Sequence, residues 1–478
     1  MPQAKLIIKN MGALFVSDAI GSVLSFLLIV FIARYLGDVG LGKYSFAFAF
    51  VGLFMALSDL GTEKFVVREI AKDRSKMEKY SKNFIALKLI LGIIALILPG
   101  IIILFLNEPA DVIRIVWLAS TAMFFNYFGW TFTAFFQAYE KMEYDAIGKL
   151  IERVIAFSLG SFVLANGYGL MALLLVLILS NLIAFIVKYM ITSKKIIRIG
   201  FEIDLNFLKK LLKRSFPFLL TIVFIMIYFR ISTVMLTFMR GYAVTGWFEA
   251  AYRIVDGLKF FPIIVITAVF PAMSKLHVQN KKFLLLLYKK SFYYLFSLAF
   301  PLGIGTTLLA SRIILFVYKQ EFIHSVLALQ ILIWAEVFIF INYLMGYLLN
   351  AINRAKLFTI STGICVVVNV LLNFMLITAF KDGYPGASIA IVITEVINFI
   401  LLLYFTSKSG YKLPLIRLIY KPIIAGLLMG AGIIYLNQLH LLLLIPLAAI
   451  AYFIILFLTK GIEKEEIELV KGFFRLSS

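Results

Sequence analysis

The chain has 478 residues, 63% of them apolar and 15% charged, with a mean hydropathy of +1.01. That is far more apolar than a soluble globular chain, which runs nearer half, so a soluble enzyme or binding domain is excluded. The net charge of +21 does not point to nucleic acid either, because the bases sit in clumps between apolar runs rather than in one patch.

Many of those runs exceed the roughly 18 residues that suggest a bilayer-spanning helix. Fourteen spans are predicted, at 11–35, 43–66, 83–106, 112–138, 147–165, 170–188, 215–239, 244–272, 291–310, 325–350, 358–380, 385–405, 421–437 and 441–459. The first run is too long for a removable signal peptide and leads straight into the second. It carries Asp18 early and Arg34 at its outer end. Span two holds Asp59 in Ser58-Asp59-Leu60-Gly61, and Glu63 and Lys64 follow near the inner surface. Lys88 and Arg114 lie near span ends and are expected to snorkel to the interface. A basic inner link, about 189–214, separates spans one to six from the rest.

Span seven places Arg230 within MIYFRIST. Span eight, GWFEAAYRIVDGLKFFPIIV, carries Glu249, Arg253, Asp256 and Lys259. On a helix the first three fall within about 60° of one another. Their i,i+4 and i,i+3 spacings permit ion pairs, so Glu249 and Asp256 are expected to hold Arg253. Lys259 is expected one turn deeper, and Arg230 at the depth of Arg253. Each such charge costs roughly 2.5–3.5 kcal/mol in the bilayer centre. Three bases against two acids leave a positive surplus, which favours a hydrated cationic cavity; a structural ion-pair cluster is the alternative. Glu336 and Glu395 lie in spans ten and twelve. With Asp18 and Asp59 they are read as ion-coupling candidates or structural pairs. Asn126, Asn181, Asn369, Asn373 and Asn398 read as bonds between helices. Pro217, Pro262, Pro271 and Pro301 are candidate bending points in spans seven to nine. His277, His324 and His440 are scattered without ligand spacing, and the lone Cys365 permits no intrachain disulfide, so no metal site is expected.

With the N-terminus inside, the inner loops and tails collect most of the 46 Lys and Arg, including REIAKDRSKMEKYSK after span two. The outer loops hold only Lys43, Arg240, Arg312, Lys319 and Lys381. This asymmetry is the positive-inside pattern, and it puts both termini in the cytoplasm, with the bases facing anionic lipid.

The halves echo each other. Gly37, Gly42 and Tyr44 form G-x4-G-x-Y after span one; Gly241, Gly246 and Phe248 form G-x4-G-x-F after span seven. Gln137-Ala138-x-x-Lys141 closes span four as Asn350-Ala351-x-x-Arg354 closes span ten. Asn166-Gly167-Tyr168-Gly169 matches Asp382-Gly383-Tyr384-Pro385 after spans five and eleven. Each pair joins span n to span n+6, so the repeat is parallel, and transporters built on repeats place their substrate between them. The expected organisation is all-α and integral to the membrane. It has an N-terminal six-helix lobe over 1–200, a second over 201–412, an extra helix pair over 413–460 and a cytoplasmic tail over 461–478.

The stretch IARYLGDVGLGKYSFAFAFVGLFMALSDLGTEKFVVREIAK, 32–72, resembles the opening of Wzx-type polysaccharide flippases of the MOP superfamily, relatives of MurJ lipid II flippases and MATE exporters. QAYEKMEYDAIGKLIERVI, 137–155, is similar to that family's link between spans four and five. The resemblance implies two six-helix lobes, a central cationic cavity and alternating access for a polyprenyl-(pyro)phosphate-linked oligosaccharide, moved from the inner to the outer leaflet. It implies a prokaryotic plasma membrane, lipid and glycan-assembly partners, and no catalysis. Arg230, Arg253, Lys259 and Arg34 would serve the substrate; Asp18, Asp59, Glu249, Asp256, Glu336 and Glu395 would support them or bind a coupling H⁺ or Na⁺. No other cofactor is expected. The fourteen spans look more like MurJ than the twelve-span MATE pattern, and the last pair would seat the lipid tail. A MurJ-like lipid II flippase and a MATE-like exporter are the alternatives. A membrane glycosyltransferase or polymerase is disfavoured, because it usually needs a large outer loop.

Overall fold

The computed structural model describes residues 2–197 and 199–459; the expected tail over 461–478 and the side chain of Pro217 lie outside the described residues. Every regular element among them is helical. In chain order these are α1 (Pro2–Asp59), α2 (Thr62–Lys72), α3 (Met77–Phe105), α4 (Ala110–Ala138), α5 (Met142–Ala165), α6 (Gly169–Lys195), α7 (Leu205–Arg240), α8 (Tyr242–Gly257), α9 (Phe260–Gln279), α10 (Lys281–Val317), α11 (Ser325–Ala351), α12 (Ala355–Ala379), α13 (Tyr384–Lys408), α14 (Leu415–Tyr435) and α15 (Leu441–Leu458). Twelve described segments are long and apolar enough to cross a membrane. The first of them contains two expected spans, because α1 bends at Gly37; α5 is missing from the twelve because Lys149, Glu152 and Arg153 interrupt it. The fourteen expected spans thus all have helical counterparts in an all-α membrane protein.

Two expected elements differ. Span two stops at Asp59 rather than running to 66, because Leu60 and Gly61 take left-handed conformations (φ 47° and 73°). The chain restarts as α2, which buries Thr62, Phe65, Val66 and Ile70 and exposes Lys64, Arg68 and Lys72. Span eight is not one helix: α8 ends at Gly257 and α9 begins at Phe260, so Lys259 sits in the break instead of a turn deeper on the same helix. Pro262 falls in the first turn of α9, where its missing N–H costs nothing, and so favours a restart there. Pro271 and Pro301 lie inside uninterrupted helices.

Packing divides the chain into two compact units, residues up to 253 with 369–384, and 254–368 with 385 onward. In the first, α1 packs on α3, α4, α5 and α7, and α4 packs on α6. A cluster of Phe65, Phe84, Phe132, Phe135 and Phe136 with Leu208 and Leu211 ties α2, α3, α4 and the start of α7 together. The link into α7 is pinned: the Asp204 backbone N–H donates to Asn83 (2.8 Å) and its carboxylate caps Phe207 N–H (3.0 Å). Lys79, 2.8 Å away, holds that carboxyl below its usual range. In the second unit, α9, α10 and α11 share a core around Tyr288, Phe292, Phe340 and Met345. α14 lies close on α10 through Gly426 and Gly430, where a Cβ would stand 2.9 Å from Phe300 and from Ile304; small residues permit such approach inside a bilayer. The outer face of α15 leaves Leu442, Leu443, Ile450, Phe453 and Ile454 exposed, as a lipid-facing surface requires.

The sequence repeat is a repeat of backbone geometry. Gly37 (φ 69°, ψ −170°) and Gly241 (φ 87°, ψ −178°) make the same bend. Glu140 and Asn353 both have φ 58°, and each is followed by the same closure, Lys141 N–H to Phe136 O (2.9 Å) and Arg354 N–H to Leu349 O (2.8 Å). Gly167 (φ 76°) and Gly383 (φ 73°) both close onto the residue three before, at 3.1 Å. The second glycines of the two bends also meet. A Cβ on Gly42 would stand 1.8 Å from the Tyr242 carbonyl oxygen, and one on Gly246 would stand 2.0 Å from the Asp38 carbonyl oxygen. Each bend therefore fits its glycine against the other's backbone. Trp247 Nε1 donates to Asp38 (2.7 Å), and the Tyr242 hydroxyl donates to Glu108, across the same seam.

Candidate cationic site

The bend at Gly37 sends the second half of α1 alongside α7, with Tyr44 near its start. The charges of Arg253, Arg153, Arg230 and Glu249 all reach the half-buried Tyr44 phenol. Three helices, α5, α7 and α8, thus each bring one arginine to a single neighbourhood on α1, with Glu249 on Arg253 (3.1 Å) and Glu152 beside Arg153 (3.8 Å). One positive charge remains in excess.

Each arginine is held differently. Arg253 Nε donates to Glu249 (3.1 Å), and Glu249, 2% exposed, also accepts from Thr233 on α7 (2.5 Å). That fixes the guanidinium plane from behind. Arg153 donates to Ser25 on α1 (2.7 Å), and its stem lies against Gly21. Arg230 lies beside Gly52 of α1, where a Cβ would stand 3.8 Å from its Nε; its charge also reaches Tyr127 on α4. Among the described residues Arg230 makes no hydrogen bond and no ion pair. A partly buried guanidinium with five donors and no acceptor is poised for an anion that is not part of the chain.

The Glu249–Arg253 pair forms as its i,i+4 spacing permits; Arg230 acts on the same Tyr44, as does Arg153, and sequence reasoning passed over Arg153 and Tyr44 as site residues. Signals existed for both. Arg153 is a charge inside an expected span, in KLIERVI. Tyr44 is the one position where the G-x4-G-x-Y and G-x4-G-x-F motifs differ, and the phenylalanine, Phe248, is buried at 1% exposure. Arg34 is exposed on α1. Lys259 donates to Asp256 (2.7 Å), and that pair belongs to the second compact unit.

The acidic candidates sort into several environments. Asp18 accepts from Lys149 (3.1 Å). Asp59 accepts from Lys88 (2.5 Å) and from the Glu63 backbone (3.2 Å). Lys88 is 5% exposed, so it does not snorkel; it faces the end of α1, where a carboxylate offers more than a distant headgroup. A second buried network escaped the sequence reading: Asp145 accepts from Thr133 (2.5 Å), Lys188 (2.9 Å) and Lys149 (3.3 Å). In the second unit Glu395 accepts from Asn342 (2.8 Å), while among the described residues neither Glu336 oxygen has a hydrogen-bond partner. The asparagines bond between helices: Asn126 to Asn181 (2.8 Å), Asn373 to Ser232 (3.0 Å), and Ser361 to Asn398 (2.7 Å). Among the described residues no three His, Cys, Asp or Glu side chains converge to hold a metal ion.

A family described as "polysaccharide biosynthesis protein" matches residues 7–277, more than half of the chain. The chain belongs to the polysaccharide biosynthesis protein family. The matched region contains Tyr44, Arg153, Arg230, Glu249 and Arg253. The chain is also similar to the probable low-salt glycan biosynthesis flippase Agl15 of Haloferax volcanii, 26% identical over 164 residues; the match spans about a third of each chain (34% and 34%). The fold is that of the lipid II flippase MurJ in an inward closed conformation, with a TM-score of 0.77, 18% identity and coverage of 92% of this chain and 97% of that one. It is also that of an inward-facing multidrug resistance MATE transporter of the MOP superfamily, with a TM-score of 0.63, 15% identity and coverage of 81% and 94%. This member of the polysaccharide biosynthesis protein family is thus a multi-pass membrane protein with the fold of MurJ and of the MATE transporter.

Proposed function

We propose that the protein is a flippase carrying a polyprenyl-(pyro)phosphate-linked oligosaccharide from the inner to the outer leaflet by alternating access, for assembly of a cell-surface glycan. One observation carries this reading: Arg153, Arg230 and Arg253 gather around Tyr44 with a net positive charge, and among the described residues Arg230 makes no hydrogen bond or ion pair. The physical problem is to move a pyrophosphate and its sugars across about 30 Å of hydrocarbon while the lipid tail stays in it. A guanidinium pair suits the pyrophosphate, because each fork donates two parallel hydrogen bonds to phosphate oxygens. Glu249 keeps Arg253 oriented while the site is empty, and substrate oxygens then engage Arg230 and Arg253 together.

Similarity to Agl15, a probable glycan biosynthesis flippase, and to the lipid II flippase MurJ supports the reading. A MATE-like exporter of organic cations fits less well, because an excess of arginine repels that cargo. The same reading places the protein in a prokaryotic plasma membrane with cytoplasmic termini, beside the enzymes that build and consume the glycolipid. Arg34 and Lys259 remain secondary candidates for the substrate in this proposal, and the lobe divisions at 200 and 412 remain part of it.

The test is flipping of a pyrophosphate-linked glycolipid by the purified protein in liposomes. Arg230→Ala and Arg253→Ala should each lower the rate by about 10- to 100-fold, the scale of a lost charge-assisted bond of roughly 1.5–3 kcal/mol. Arg253→Lys should recover part of it. Wild-type rates in both alanine variants would overturn the assignment of the site.

A further inference from the structure

Trp130 stands on α4 with 39% of its surface exposed, and its ring contact among the described residues is with Tyr127, 4.6 Å away between centroids. Neither its indole N–H nor the Tyr127 hydroxyl makes a hydrogen bond among the described residues. Lipid does not account for the pair. The charges of Arg230 and Asp59 both reach Tyr127, and hydrocarbon does not hold such groups. Met123, one turn before Tyr127, meets Arg230 at Gly52 of α1: a Cβ there would stand 3.9 Å from the methionine methyl and 3.8 Å from Arg230 Nε. The aromatic pair therefore adjoins the cationic site.

Helical spacing puts Met123, Asn126, Tyr127 and Trp130 on one stripe of α4, about 100° wide. Asn126 carries this stripe across to the neighbouring helices: its amide donates to Asn181 on α6 (2.8 Å) and to Glu152 on α5 (3.3 Å). Glu152 lies beside Arg153 (3.8 Å), so the stripe runs on into the arginine cluster. Acceptors are left over. Among the described residues Asn126 Oδ1 and Glu152 Oε1 accept no hydrogen bond. The wall thus offers an aromatic face, an indole and a phenol donor, and two planar groups with free acceptor sites, next to the arginines.

That is the chemistry of a sugar site. A pyranose has an apolar C–H face, which stacks on the electron-rich face of an aromatic ring. Its rim of hydroxyls, each both donor and acceptor, suits planar amide and carboxylate groups. The first sugar of a glycolipid pyrophosphate is bonded to the outer phosphate, so its site must adjoin the phosphate site, as this wall adjoins Arg230 and Arg153. We propose that Tyr127 and Trp130 form the platform on which the sugar attached to the pyrophosphate stacks, with Asn126 and Glu152 meeting its hydroxyls. The proposal rests on the flippase reading and deepens it. The arginines hold the part common to all such lipids, and the α4 wall selects the sugar that follows, because a site built to bond a hydroxyl rejects an analogue without it.

The experiment measures how tightly the full-length protein in nanodiscs binds a polyprenyl pyrophosphate without sugar, and the same lipid bearing a disaccharide. The wild type should prefer the sugar-bearing probe by about three- to tenfold, the worth of one aromatic stacking contact. Trp130→Leu, a change at an exposed position that stays apolar and loses the ring, should abolish this preference. Trp130→Phe, which keeps an aromatic face, should retain most of it. Arg230→Ala should weaken both probes alike and leave the preference standing. A wild type without the preference would overturn the sugar platform. So would a Trp130→Leu variant that keeps the preference or weakens both probes equally. A wild type that binds neither probe would overturn the flippase reading itself, whereas binding of both with the preference intact in Trp130→Leu would remove the platform alone.

Discussion

Gly42 and Gly246 face each other's backbones across the seam between the two helical bends, and replacing either with alanine tests how tightly that seam is built. The added Cβ would stand 1.8 Å from Tyr242 O in one case and 2.0 Å from Asp38 O in the other. Cβ atoms essentially never come within 3.0 Å of a heavy atom, so the helices must part by about an ångström or more. Main-chain carbonyls cannot rotate aside as a side chain can. Overpacking costs about 1–3 kcal/mol, and a clash with backbone on both sides belongs at the upper end. Parting the seam would also stretch the Trp247–Asp38 and Tyr242–Glu108 bonds. The assay is thermal unfolding of the purified protein in detergent, with Gly432→Ala as control, because a Cβ there meets nothing within 4 Å and alanine favours a helix. Both seam variants should unfold several degrees lower and the control should not. The double variant should cost less than the two single losses combined, since one wedge opens the seam for the other. Seam variants as stable as the control would refute the reciprocal fit.

Lys88→Met should destabilise the first unit by about 3–5 kcal/mol, because it strands the Asp59 carboxylate in a buried site, and Lys88→Met with Asp59→Leu should recover much of that loss in the same unfolding assay. In a Cys365→Ala background, a cysteine at Ser193 should resist an impermeant thiol reagent added outside intact cells and react after the membrane is opened; labelling from outside would reverse the proposed topology.

The sequence alone determined the class, the number of crossings and the repeat. Hydropathy is a property of consecutive residues, and a bilayer imposes length and apolarity on each span separately, so fourteen helices could be counted without knowing any neighbour. The matched glycines were equally legible, because a positive φ is a local demand that glycine meets, and Gly37 and Gly241 do adopt the same bend. The sequence also singled out Arg230, Glu249 and Arg253 as charges that lipid would not tolerate unexplained.

What it could not supply was partnership. Lys88 reads as a snorkelling base until α1 is seen to end beside it with Asp59. Arg153 reads as part of a charged link until α5 packs on α1 and turns it toward Tyr44. Glu336 looks like any other intramembrane acid until the tertiary packing surrounds it with apolar groups and leaves both oxygens without a donor among the described residues. Charges in a span have an energy set by the groups within a few ångströms, and those groups come from helices far away in the chain. Local pattern fixes where a helix crosses; only the packing of one helix on another decides whether a charge is paired, and with which group.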